Sequence, residues 1–102
     1  MVWYIVYEGY GRTRDGELYE RTYVKKLRLG RIIGRPHITD ILFDDTTDHV
    51  LVEVTYKKSH RYRGGKHHPR LHRQTVVLGQ NVDIQSIHLT QHPPEGPKID
   101  RR

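Results

Sequence analysis

The sequence predicts an all-β or β-rich protein, and three observations support this fold class. The 102-residue chain contains no alanine, the residue with the highest helix propensity. Valine, isoleucine and threonine together account for 25 residues, and there are seven tyrosines. Side chains of these types suit a pleated, half-buried sheet. Apolar and polar residues also alternate along several short segments, which is the periodicity of a strand with one face in a core.

The sequence also contains an internal repeat with an offset of 49 residues. Residues 2–30 align with residues 51–79 without a gap, and seven of the 29 pairs are identical. These pairs are Tyr7/Tyr56, Arg12/Arg61, Arg14/Arg63, Gly16/Gly65, Arg21/Arg70, Leu29/Leu78 and Gly30/Gly79. We therefore predict one domain made of two tandem copies of a strand-loop-strand-short-element unit, residues 1–49 and 50–91, related by a pseudo-twofold axis. The proline-rich segment 92–102 is expected to be a mobile tail.

Each unit is predicted to contain a strand, a long hairpin loop, a second strand and a short third element. The six strand-like segments are expected near residues 2–8, 20–29, 38–43, 50–57, 71–78 and 84–90. In the third elements the apolar residues align as Ile38, Ile41 and Phe43 in one unit and Ile84, Ile87 and Leu89 in the other. This i, i+3, i+5 spacing fits either a helical turn that runs into a strand or a strand with a β-bulge.

The alternating pattern also predicts which side chains form the core. One face of each long strand carries apolar residues at every second position. The predicted core residues are Trp3, Ile5, Tyr7, Leu27, Leu29, Val52, Val54, Val76 and Leu78.

The net charge of +6 arises entirely in the second half of the chain. Residues 1–49 hold eight basic and eight acidic residues, whereas residues 50–102 hold ten and four. Most of the excess lies in residues 57–73, termed the basic hairpin, which contains seven Lys and Arg, four His and no acid. The candidate binding residues there are Lys57, Lys58, Arg61, Tyr62, Arg63, Lys66, Arg70 and Arg73. Such a segment suits phosphates or an acidic protein surface, and Tyr56 and Tyr62 among the cations would suit base stacking.

No catalytic motif is present, so we expect the protein not to be an enzyme. Without cysteine, disulfides, thiolate zinc sites and cysteine nucleophiles are excluded. Asp48 and Glu53 resemble the metal-binding pair on a strand of restriction-type nucleases, but Thr55 stands where that family has a lysine. The histidines of the basic hairpin have no carboxylate close in sequence. We therefore expect neither a metal site nor a cofactor.

The opening Val-Trp-Tyr-Ile-Val-Tyr-Glu-Gly-Tyr-Gly, the chain length and the two diverged copies resemble the small proteins of filamentous viruses, of the lipothrixvirus type, that infect hyperthermophilic archaea. The resemblance implies a viral protein in the host cytoplasm or associated with the virion, not secreted, with a binding or regulatory role rather than catalysis. A low content of Asn and Met with many charges is typical of thermophilic proteins. No apolar run approaches the length that spans a membrane, and no membrane partner is expected.

Three classes of function compete. In the first, which we expect, the protein is a non-catalytic interaction module that binds an extended peptide or an acidic segment of a partner protein in the groove between the two units. Exposed strand edges there would accept the segment by main-chain pairing. In the second, it binds nucleic acid through the basic hairpin. The third, a nuclease, ranks last because of Thr55. The protein is expected to be a monomer or a homodimer.

Overall fold

The computed structural model describes residues 2–61, 65 and 67–94, with the side chains of Arg61 and His67 excepted. Within these residues the strands are β1 (Trp3–Arg12), β2 (Leu18–Leu27), β3 (Ile33–Asp44), β4 (His49–Arg61), β5 (His67–Gly79) and β6 (His88–Thr90). A short 3-10 helix, Ile84–Ser86, precedes β6. The predicted all-β class is therefore confirmed. In the described part of the chain no helix is long and apolar enough to cross a membrane.

The strands form two antiparallel three-stranded sheets that exchange a strand. The first sheet has the order β2-β1-β6 and the second has the order β3-β4-β5. Thus β6, from the second half of the chain, pairs with β1, while β3, from the first half, pairs with β4. If β1, β2 and β3 are exchanged with β4, β5 and β6, the strand neighbours in the two sheets stay the same.

The pairing registers also repeat at the 49-residue offset. Trp3 lies opposite Leu27 in the first sheet, and Val52 lies opposite Val76 in the second. Both hairpin turns contain a glycine with a positive φ, 87° at Gly16 and 85° at Gly65. These correspondences support the interpretation of the chain as two copies of one unit.

The third elements of the two halves differ from each other. β3 is a 12-residue strand with two register shifts against β4. Residues 84–90, predicted to be strand-like, instead form the 3-10 helix followed by the three-residue β6. Asp83 caps this helix, because its side chain accepts a hydrogen bond from the backbone N–H of Gln85 at 3.2 Å. The two structures compatible with the spacing, a bulged strand and a helical turn, therefore occur once each.

The pairing also corrects the alignment of the third elements. Leu89 lies opposite Ile5, and Ile38 lies opposite Val54. Leu89 therefore corresponds to Ile38 and not to Phe43, as the sequence spacing suggested. The apolar spacing is misleading here because the bulges of β3 change which side chains face the core.

One core cluster draws side chains from both sheets. Eight of the nine predicted core residues are buried, and Val76 is only half-buried. Val50 and Tyr56, which the prediction omitted, belong to the same buried cluster.

Hydrogen bonds between β1 and residues 78–86 tie the two halves together. The Tyr7 hydroxyl donates a buried hydrogen bond to the Leu78 carbonyl at 2.6 Å. The backbone N–H of Asp83 donates to the Glu8 carbonyl at 2.9 Å. The described residues therefore pack as one body with a shared seam.

Candidate functional site

A cleft at the seam between the two sheets is centred on Trp3. Its main part has a volume of about 690 Å³ and is lined by Trp3, Gly30, Arg31, Ile32, Gly34, Arg35 and Gln91. Two smaller depressions of about 280 and 250 Å³ also border on Trp3. The first runs along Lys26–Gly30 and the second along Arg35–Ile38 and Leu89. The three together are termed the Trp3 cleft.

The Trp3 cleft lies between two strand edges. β3 is an edge of the second sheet and β6 is an edge of the first. Ile38 of β3 and Leu89 of β6 line the same depression, yet no backbone pairing joins the two strands in the part of the chain described. An extended segment can add main-chain hydrogen bonds at such an edge. Pro36 has no N–H, so it removes one donor on the β3 side.

Trp3 forms the floor of the cleft. Trp3 is only 8% exposed. The Arg35 guanidinium carbon lies 5.8 Å from the centre of the ring, which is within the range of a cation–π contact. Because the ring is mostly covered, the cleft presents arginines at its surface and an aromatic floor beneath them. This arrangement suits carboxylates, which pair with guanidinium groups through two parallel hydrogen bonds.

The positive charge of the cleft was missed in the sequence. The run from Arg21 to Thr39 contains six Lys and Arg and no acid. The net charge of residues 1–49 conceals this run, because the acids at residues 8–20 and 40–48 cancel its positive charge. The net charge of shorter windows would have shown it. The closeness of Arg31 and Arg35 to Trp3 arises only when residues 30–35 fold beside β1.

The basic hairpin continues β4 and β5 beyond the end of β3. β3 pairs with β4 only as far as Lys57, whereas β4 and β5 pair as far as Arg61 and His67. The two strands therefore leave the sheet as a two-stranded ribbon. Three of the predicted binding residues, Tyr62, Arg63 and Lys66, lie outside the described residues, as does the side chain of Arg61.

The other predicted cations of the hairpin do not form one patch. Side chains alternate between the faces of a strand. Lys57 and Arg73 lie on the outer face of the second sheet, and Lys58 and Arg70 lie opposite each other on the inner face. The Lys58 Nζ lies beside Gly30, a residue that lines the Trp3 cleft, because it is 2.9 Å from the position that a Cβ at Gly30 would occupy. The structure therefore brings one predicted cation, Lys58, to the edge of the cleft at Gly30.

The inner face of the hairpin also carries a histidine pair that the sequence did not predict. The Nε2 atoms of His60 and His72 lie 2.9 Å apart. Their ring planes differ by 10° and their centroids lie 5.1 Å apart. These values place the rings edge to edge in nearly one plane, with one nitrogen donating to the other. This hydrogen bond needs one of the two facing Nε2 atoms to carry no hydrogen, so the two rings cannot both be protonated while it is kept.

The surroundings of His60 oppose its protonation. The pKa of His60 is lowered from 6.5, mainly by loss of solvent around the ring and then by the positive charges of Arg70, His72 and Lys58. The neutral form of His60 is therefore favoured at neutral pH.

The stacking role expected for Tyr56 is wrong. Tyr56 is buried in the core cluster, and its ring lies nearly parallel to that of His72 at 5.7 Å. It is therefore not available to stack on a base. The other tyrosine of that expectation, Tyr62, lies outside the described residues.

The two acidic residues considered as a nuclease motif lie in a turn and on a strand. Asp48 lies in the β3–β4 turn with a positive φ of 59°. The Glu53 carboxylate accepts a hydrogen bond from the Thr39 hydroxyl at 2.9 Å. Among the residues that the structure describes, no three His, Cys, Asp or Glu side chains are grouped so that they could hold a metal ion.

The structure thus defines a small all-β protein with a cationic cleft between two strand edges and a basic β-ribbon. No protein-family model, curated protein or solved structure matches the chain. The function is therefore argued from these two surfaces.

Proposed function

We propose that the protein is a non-catalytic interaction module that binds an extended, acidic segment of a partner protein in the Trp3 cleft. The observation that carries this proposal is the pair of unjoined strand edges, β3 and β6, beside a cleft whose lining contains no acid. The cleft lies between the two sheets, and most of its lining comes from residues 1–49, with Leu89 and Gln91 from the second half.

Two kinds of contact would contribute to binding. Main-chain hydrogen bonds to the β6 edge, and to the β3 edge on the N-terminal side of His37, would give affinity with little demand on sequence. Arg31 and Arg35, both exposed, would pair with carboxylates of the ligand. Lys58 extends the positive charge to the rim at Gly30. Basic segments would be rejected because like charges brought together are penalised.

The experiment is NMR shift mapping and calorimetry with peptides rich in Asp and Glu, compared with peptides of the same length rich in Lys. Contacts should include residues of both halves. The double variant Arg31→Glu with Arg35→Glu should weaken binding by at least about tenfold, or 1.4 kcal/mol. Arg14→Glu is the control, because Arg14 is an exposed arginine of the β1–β2 turn outside the cleft lining. Shifts confined to one half, or equal weakening by the control, would contradict the proposal.

A second function, nucleic-acid binding through the basic hairpin, is favoured by one observation. The hairpin leaves the sheet as a two-stranded ribbon, and the major groove of DNA admits such a ribbon. This function predicts affinity that falls steeply with salt, with a slope near −0.9 for each phosphate contacted on duplex DNA. Arg61→Glu with Arg70→Glu, both on the ribbon beyond β3, should then abolish binding, and Arg31→Glu with Arg35→Glu should not. Tight binding to DNA at physiological salt without any peptide binding would replace the first proposal with this one.

We also infer the setting of this function from the resemblance noted in the sequence. It supports a viral protein that acts inside a thermophilic archaeal host or on the virion. A melting temperature within the range of mesophilic domains, about 45–65 °C, would argue against this setting.

A further inference from the structure

The C-terminal half of β3 exposes an apolar run on an unpaired strand edge. Ile41, Leu42 and Phe43 are 36%, 43% and 59% exposed. Consecutive side chains of a strand point to opposite faces, so both faces of the strand carry exposed apolar surface here. β3 is the edge of the second sheet, and one side of its backbone has no strand partner among the described residues. Long edges with exposed apolar residues favour pairing with another chain.

The charges along β3 indicate which chain this partner is. The N-terminal half of the strand carries Arg35 and His37, whereas acids follow at Asp40, Asp44 and Asp45. A strand that is basic at one end and acidic at the other is complementary to itself when the two copies run antiparallel. A purely acidic or purely basic partner would match only half of the edge.

We propose that two copies of the chain associate by antiparallel pairing of their β3 edges, which extends the second sheet to six strands. Pairing centred on Ile41 sets Asp40 opposite Leu42 of the second copy. Because the bulge at Ile38–Asp40 adds one residue to β3, His37 then lies opposite Asp44, the last residue of the strand. The two Ile41 side chains then meet on the dyad, with a Phe43 ring beside them on each side. The interface is isologous, as a twofold dimer requires.

The free chain already satisfies one donor at this edge. The Ile41 N–H donates to the Asp40 carboxylate at 2.9 Å. In the dimer this N–H would change partner and pair with the second copy. The Asp40 carboxylate would then turn to solvent, which it can do because the residue is exposed.

The test measures molecular mass in solution by analytical ultracentrifugation over a wide range of protein concentrations. The wild-type chain should reach twice its mass of 12.1 kDa as concentration rises. Phe43→Lys should weaken the dimer by at least about tenfold. Leu71→Lys is the matched control, because Leu71 is also 59% exposed but lies on β5, the other edge of the same sheet.

A charge swap tests the antiparallel arrangement itself. Asp45→Lys should weaken the dimer, because the new lysine lies next to the basic half of β3 in the second copy. Adding His37→Glu to this variant should restore association. A wild-type chain that stays at 12.1 kDa at every concentration overturns the proposal. Equal weakening by Phe43→Lys and Leu71→Lys, or a double variant no better than Asp45→Lys, overturns this edge as the interface.

Discussion

Replacing Tyr7 by phenylalanine removes one hydroxyl at the centre of the seam and nothing else. Tyr7 is only 3% exposed, and its hydroxyl donates to the carbonyl of Leu78 at 2.6 Å, across 71 residues of sequence. The substitution keeps the ring that packs in the core. It leaves the buried Leu78 carbonyl without this donor.

The size of the effect follows from that loss. A buried acceptor deprived of its partner costs about 1–3 kcal/mol. In a domain stabilised by about 5–15 kcal/mol this is a large fraction. For a chain of this length each kcal/mol lowers the melting temperature by about 4–8 °C.

The assay is urea unfolding followed by the fluorescence of Trp3, the single tryptophan of the chain, and by far-UV circular dichroism. Tyr10→Phe is the control, since it deletes the same hydroxyl from a tyrosine that is 41% exposed. The free energy of unfolding should fall by at least about 1 kcal/mol more for Tyr7→Phe than for the control. Equal losses in the two variants would refute the structural role of the Tyr7–Leu78 hydrogen bond.

Three further predictions concern the core, the cleft and the hairpin. Leu29→Ala and Leu78→Ala should each cost about 2–5 kcal/mol of unfolding free energy, and unchanged melting temperatures for both would show that the core assignment is wrong. Gly30→Ala should cost about 1–2 kcal/mol by denaturant titration, because Gly30 has a φ of 73°, and a neutral result would show that the turn adapts. The pKa of His60 is lower in the folded chain than the value near 6.5 in the unfolded chain. The free energy of unfolding should therefore be highest above pH 6.5 and should fall as the pH drops from 6.5 towards the pKa of the folded chain. In His60→Gln this part of the pH dependence should vanish from the urea midpoints, and an unchanged profile would contradict the assignment.

Composition and alternation were sufficient for the fold class and most of the core. Ile5 and Val52 each belong to a strand in which every second residue is apolar, and that local pattern alone places them on a buried face. Val76 shares this pattern with Leu78 of the same strand, yet only Leu78 is buried, because burial also depends on tertiary packing, which no local pattern contains.

The exchange of β3 and β6 was not predictable for the same reason. A short third element can pair with either sheet, and the choice depends on contacts between distant parts of the chain. The bulges of β3 changed the register that the spacing of Ile38 and Phe43 suggested.

The candidate site was likewise only partly predictable from the sequence. Sequence clustering located the cations of the basic hairpin, but strand alternation distributes Lys57 and Lys58 to opposite faces. The Trp3 cleft needed the tertiary fold, because Trp3 and Arg35 are 32 residues apart in the printed sequence and meet only across the seam.

Neither half of this chain is a structural unit by itself, because each completes the other's sheet. A break in the turn at residues 45–48 would leave two fragments, each with a strand that belongs to the other. An isolated two-stranded hairpin is marginally stable at best in water. The turn therefore acts as a tether that keeps the two fragments at an effective concentration of about millimolar. A chain with only one such unit would have to obtain its third strand from a second molecule, so the covalent link replaces an encounter between two chains with a folding step within one.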